Sequence, residues 1–313
     1  MYRLFIFIIV LSFAELTVAQ GLNVNIQQDK ACFVEGMDSI LCYQITEKSY
    51  EGTYKRSNYI HPLYTLDGEV LSEDFPEDHL HHRGIFWSWH QLYVGEKRIG
   101  DPWEIKDFCW EVKSVKEVKK QIGAISIQSE VHWKSPLWQD EAGLEKPVVK
   151  EMTTIIVHPK QDNYRLIDIE IALLALEKDM RIGGSEDPKG YGGFSPRIRL
   201  VADTEFTNAK GSVTPTNLPV PESAWMDISG SVGKDNAKAG MSILSHPDNP
   251  GYPNPWILRA KTSMQNAVYP YPGAEAVALS NTVPTVLRYR LVVHEGGSSD
   301  INITQLHSEY AKD

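Results

Sequence analysis

The sequence predicts an all-β protein, an antiparallel β-sandwich finished by one short C-terminal helix. Three observations carry this expectation. Apolar residues recur at every second position through much of the chain, as in strands with one buried face. Across 313 residues there are 18 Pro and 22 Gly beside 10% aromatics, which suits many short elements joined by turns. Helical spacing is convincing only near the end, where Ile303, Leu306 and Tyr310 fall at i, i+3 and i+7.

The chain opens with MYRLFIFIIVLSFAELTVAQG, in which Arg3 precedes an apolar run over residues 4–13, and small Thr17 and Ala19 sit at the −3 and −1 positions of a cut. This reads as a signal peptide over residues 1–19, followed by one β-sandwich domain over 20–313. A membrane anchor needs about twenty apolar residues, and Glu15 interrupts the run too early. No later segment is apolar enough to span a bilayer, so the expected location is periplasmic or secreted.

Cys32 and Cys42 flank a turn at Gly36-Met37-Asp38, and a hairpin centred on Met37 sets them opposite each other. An oxidising compartment favours a disulfide there. Directly paired cross-strand cysteines often bridge with poor geometry, however, and free thiols are commonly buried. The expectation is two unbridged thiols, with Cys109 as a buried third.

Further along, Ile125, Ile127, Val131 and Trp133 share one face of a strand, as do Ile167, Ile169 and Ile171 of the next and Leu287, Tyr289, Leu291 and Val293 of the last. The Pro/Gly-rich stretches 183–196, 214–221 and 247–255 read as loops of one sandwich rather than domain boundaries. Lysine and arginine number 31 against 41 acidic residues, a formal charge of −10, which argues against a nucleic-acid partner. The chain has no Gly-x-Ser-x-Gly elbow, phosphate-cradling Gly-Lys loop, dinucleotide fingerprint or Cys-x-x-Cys pair. Serine hydrolases, nucleotide enzymes and zinc ribbons are thereby disfavoured.

The sharpest chemical signal is a histidine cluster. Ten histidines spread evenly would place about one in any thirty residues, yet His61, His79, His81, His82 and His90 all fall between 61 and 90. If the segment is extended, alternation sends His79, His81, Arg83, Ile85, Trp87 and Trp89 to one face. Histidine suits proton transfer near neutral pH, arginine neutralises an anionic group, and tryptophan offers a flat platform to a sugar ring. A second reading takes His79 and His81, at i and i+2, as two ligands of one divalent metal. In a third, the histidines are hydrogen-bonded members of a packed turn.

Other segments carry polar groups at turns. Asp187 and Lys189 lie in a glycine loop, His246 and Asn249 in the rigid run SHPDNPGYPNPW, and Trp256 serves as either platform or core. Arg288 and Arg290 share a strand face and are expected to serve a structural role, paired with acids.

These segments resemble secreted bacterial proteins labelled PmoA-like, whose D-H-x-H-H-R-G core is matched by Asp78-His79-Leu80-His81-His82-Arg83-Gly84. The likeness extends to His61-Pro62-Leu63-Tyr64, the glycine loop at 187–193, Trp225-Met226-Asp227-Ile228-Ser229-Gly230, His246-Pro247-Asp248-Asn249-Pro250 and residues 289–296. It departs at Phe194-Ser195-Pro196-Arg197, where the family usually reads Gly-Ile-Arg. The methane mono-oxygenase subunit behind that label spans a membrane several times, so its activity does not suit a chain with no span beyond the signal. The resemblance implies instead a galactose-mutarotase-like supersandwich, in proteins that accompany polysaccharide degradation.

The function expected is that of a secreted carbohydrate-active enzyme of glycoside hydrolase or lyase type, working without a cofactor on a glycosidic, oxidised or uronic substrate. His81 and His82 would transfer protons and Arg83 would hold an anionic oxygen. Asp187 and Lys189 would add a second charged edge and His246 would enter from an opposite loop. His61, His79, Trp87, Asn249 and Trp256 would contact the sugar, all in one pocket. The alternatives are a non-catalytic carbohydrate-binding protein and a metal-dependent cupin-like enzyme using His79 and His81. N-terminal sequencing of the exported protein should begin at Gln20; an intact Met1 in the membrane fraction would overturn the processing.

Overall fold

The computed structural model describes residues 21–313, so the signal expected over residues 1–19 lies outside the described residues. Two antiparallel sheets face each other. The first has eight strands in the order Leu22–Ile26, Lys30–Glu35, Asp38–Gln44, Tyr59–Leu63, Ile85–Trp89, Gly192–Pro196, Asn266–Val268 and Trp256–Ile257. The second has nine, ordered Cys109–Val118, Ile125–Gln139, Glu145–Val157, Tyr164–Ala175, Thr285–Glu295, Ala239–Ser245, Trp225–Gly230, Glu205–Asn208 and Gly211–Ser212. A four-stranded sheet and a two-stranded hairpin of Lys48–Tyr50 with Thr53–Arg56 complete the strands. This is the antiparallel sandwich that the alternation predicts. The α-helix Ile303–Tyr310 buries Ile303, Leu306 and Tyr310, as their spacing requires.

Alternation decides what each strand buries. Ile85, Trp87 and Trp89 of the eight-stranded sheet enter the main core with Val131, Trp133, Ile169, Tyr289 and Leu291 of the nine-stranded one. Trp87 stacks on Phe194, and Phe194 stacks on Tyr289 at 4.4 Å, so rings cross from sheet to sheet. Within this core Glu151 has no exposure and accepts from Trp87 Nε1 at 2.9 Å, Trp133 Nε1 at 2.7 Å, Asn58 Nδ2 at 2.9 Å and Thr153 Oγ1 at 2.6 Å. The intervening residue Phe86 faces the other way and joins Tyr59, Trp103, Ile257, Met264 and Val268 in a small apolar cluster on the outer side. The terminal helix packs on the nine-stranded sheet through Trp225, Leu244, Val292 and Ile301.

Two expectations are corrected here. Cys32 and Cys42 are joined in a disulfide, because the hairpin register sets them directly opposite with Cα atoms 4.1 Å apart. Cys109 is half-buried and free; burial and the neighbouring Glu145 carboxylate push its thiol up to about 11, which leaves it unreactive. The second correction concerns the histidines: residues 79–82 are not extended. The backbone N–H of His79 donates to Pro76 and that of His82 to His79, forming two successive turns, and the strand starts only at Ile85. Gly84 makes the junction with φ +54°, where an added Cβ would lie 2.1 Å from the Ile60 carbonyl oxygen.

Replacing Glu151 by Ala would leave four buried donors without an acceptor. Urea unfolding should show a loss of at least about 3 kcal/mol; a loss below about 1 kcal/mol would mean water or neighbouring groups can replace the carboxylate.

Candidate functional site

The two turns gather three imidazoles. His79 and His82 lie face to face at 4.6 Å and 4°, and His81 meets them edge-on at 5.6 and 4.5 Å. The outer apolar cluster forms the floor, with His82 on Phe86 at 6.0 Å and against Trp103 at 6.1 Å. Trp103 continues the surface to His90 at 5.3 Å and to Tyr191 at 5.6 Å. Arg197, just past the strand Gly192–Pro196, anchors the turn. Its Nη1 and Nη2 fork onto Asp78 at 3.0 and 2.6 Å while Nε donates to Glu73 at 2.6 Å. Burial raises the Asp78 carboxyl, but Arg197 and His79 more than offset it and hold the group down at about 2.

Carboxylates orient the rings. Nδ1 of His79 lies 2.7 Å from Asp78, Nδ1 of His90 lies 3.0 Å from Asp101, and Nδ1 of His81 lies 3.7 Å from Glu104. At His79 and His90 the hydrogen-bonded carboxylate favours the tautomer with its proton on Nδ1, which leaves Nε2 as a lone-pair acceptor, whereas His81 and Glu104 stand too far apart for a hydrogen bond. Burial, reinforced by His79 and Arg56, pushes His81 down to about 4. Burial and the neighbouring His81 and His79 drive His82 well below the usual imidazole range. Glu104 is raised, chiefly by burial. Beneath the turn, Arg56 has no exposure and is held between Trp110 at 4.0 Å and Phe86 at 4.8 Å. Its Nη2 donates to the Pro102 carbonyl at 3.0 Å, whereas Nε and Nη1 meet no acceptor. Burial lowers its pKa, yet a guanidinium stays charged at neutral pH.

Several expected site residues lie elsewhere. Arg83 is fully buried, with Nε on Asp74 at 2.5 Å, Nη2 on the Tyr59 hydroxyl at 2.6 Å and Nη1 on the Tyr54 carbonyl at 2.9 Å. Its hydrogen bonds hold the chain together, and it does not reach the imidazoles' open side. Trp87 and Trp256 are core residues, the latter donating to the Ser223 carbonyl at 2.9 Å. His61 bonds Ser72 Oγ at 2.9 Å beside the Asp74–Arg83 network, and burial lowers its pKa. Asn249 pins its loop to Arg288, donating to its carbonyl at 2.7 Å and accepting from its N–H at 2.6 Å.

The glycine loop reaches the floor of the site through Tyr191, which lies against Trp103. Asp187 accepts from Ser185 and from the Lys189 N–H within its own loop, and Lys189 lies over the Tyr191 ring at 5.8 Å. His246 does not join them. It packs against Tyr310 of the terminal helix at 5.0 Å, on the outer side of the nine-stranded sheet, so the expectation of one pocket is corrected to two separate places. Sequence reasoning missed Arg56, Asp101, Trp103, Glu104, Tyr191 and Arg197. The run Asp101-Pro102-Trp103-Glu104, with charges flanking an aromatic at a proline turn, was the available signal.

The metal reading takes His79 and His81 as ligands, and their rings lie edge-on, 5.6 Å apart at 81°. Among the described residues no three His, Cys, Asp or Glu side chains are grouped to hold an ion.

Acid should unfold the protein through these rings. Folding lowers His81 from 6.5 to about 4, so the unfolded chain binds more protons between those values, and stability falls as pH drops through that window. The shift corresponds to about 3 kcal/mol, and His81→Gln should flatten the denaturation profile between pH 6.5 and 4. An unchanged profile in the variant would show that His81 is not the group responsible.

No curated protein matches the sequence. Among solved structures, a "putative mutarotase (YeaD)" from Salmonella typhimurium shares 10% identity at a TM-score of 0.35, over 89% of this chain and 95% of that one. A superposition this loose transfers nothing about function. The comparisons name no PmoA-like protein. A family model does match residues 34–308, and on that match the chain belongs to the family of unknown function DUF6807.

Proposed function

We propose that the histidine turn is the acid–base centre of a carbohydrate-active enzyme, acting after export, that cleaves or rearranges an oxidised or uronic sugar. The observation that carries this is His81: a half-buried imidazole held at about 4 beside Glu104, neutral through the physiological range. The neutral ring can take a proton, and the Asp101 charge favours the imidazolium that results.

A C–H beside the carbonyl of an oxidised sugar is the substrate proton such a base takes most readily, because the carbonyl oxygen accepts the developing charge. Negative charge then develops on the substrate, and the Arg56 charge below the turn favours it. Tyr54 borders His81 and Tyr191 borders Trp103, both with partly exposed rings suited to a sugar's C–H face, and Lys189 and Arg259 flank Tyr191. The departure from two-carboxylate chemistry agrees with the histidine-rich motif of the resembling proteins.

Turnover of uronides and oxidised glycosides tests the proposal. His81→Gln should lower kcat by about 100-fold and Glu104→Gln by about 10-fold. In the wild type kcat/KM should fall below pH 4 as His81 takes up its proton. Unchanged kcat in both variants would withdraw the acid–base role and leave a binding protein.

A further inference from the structure

A second concave place lies on the outer side of the nine-stranded sheet. The strands Tyr164–Ala175 and Thr285–Glu295 pair so that Asp168 sits opposite Arg290 and Glu170 opposite Arg288. Alternation turns all four side chains outward, since Ile167, Ile169, Leu291 and Leu287 fill the core. Tyr310 from the terminal helix and His246, which follows the strand Ala239–Ser245, stand beside them around a cavity of about 270 Å³.

His246 shows that the place is incomplete. It is 5% exposed, and its Nδ1 accepts the Asp248 backbone N–H at 3.1 Å, so the neutral ring carries its proton on Nε2. That Nε2 is buried and has no partner. Buried donors are nearly always paired in folded proteins, and an acceptor brought by a ligand would pair this one.

We propose that this cavity binds one neutral pyranose ring, as a sugar subsite separate from the histidine turn. The lining demands both hydrogen-bonding senses: Glu170 and Asp248 accept, while Arg288 and His246 Nε2 donate. Hydroxyl groups do both, and the half-buried Ile156 side chain in the lining offers an apolar surface to the sugar's C–H groups. Other ligand classes fit less well. Four carboxylates, Asp168, Glu170, Asp248 and Asp313, oppose the two guanidiniums of Arg288 and Arg290, which repels anions. A simple cation would set positive charge against the His246 N–H. The site does not depend on the role given to His81.

Isothermal titration of the full chain with the methyl glycosides of glucose, galactose, mannose and xylose tests it, using wild type, His81→Ala/His82→Ala, His246→Phe and Glu170→Gln. At least one glycoside should bind wild type and the double variant with the same Kd. His246→Phe keeps an aromatic ring but removes both the Nε2 donor and the Nδ1 acceptor of the Asp248 N–H, and should weaken that binding at least about tenfold. Glu170→Gln changes only a partly exposed carboxylate and should weaken it too, which keeps the test decisive if His246→Phe misfolds. Binding by none of the four glycosides, or binding indifferent to both His246→Phe and Glu170→Gln, overturns the subsite. Binding lost only in the His81→Ala/His82→Ala variant overturns it as well and assigns the sugar to the histidine turn.

Discussion

The Glu151 carboxylate holds the sandwich in register. A charge in an apolar core is costly unless several hydrogen bonds meet it, and here two indoles, an amide and a hydroxyl do so. Trp87 comes from the eight-stranded sheet, whereas Trp133 and Thr153 come from the nine-stranded one, so the carboxylate joins both. Fixing Trp87 inward fixes its neighbour Phe86 outward. Phe86 then carries His82, and the position of the imidazoles above the sheet follows from a bond made beneath it.

Local period was enough to read the strands that bury Val131, Ile169 and Leu291, and the helix that buries Leu306, because the repeat alone assigns their faces. It failed over residues 79–83. Spacing of His-x-His is the same in a strand and in a turn, and the clues that favoured the turn were Pro76 and the left-handed Gly84. The partners of the site were harder still. Arg197 reaches Asp78 across 119 positions, and Arg56 lies beneath the rings only once the hairpin before it has packed. No pattern of neighbours records such a meeting.

The strand parity that placed Phe86 also separated His246 from the cluster. Both loops carry histidine beside acids, and composition treats them alike. Topology does not: one crosses the outer side of the eight-stranded sheet and the other that of the nine-stranded sheet, with the whole core between them. A sandwich thus offers two outer faces on which separate polar surfaces can be built without competing for the interior.

Arg56 gives the histidine surface an unusual relation to its medium. Mobile counter-ions neutralise exposed charges within a Debye length, about 10 Å at 0.1 M salt and about 3 Å at 1 M. They cannot enter the layer between Phe86 and Trp110, where this guanidinium is sealed. Its pull on negative charge arriving at His81 and His82 acts through rings rather than through electrolyte. That attraction therefore persists at ionic strengths that silence the surface pairs around it, such as Arg98 with Glu186.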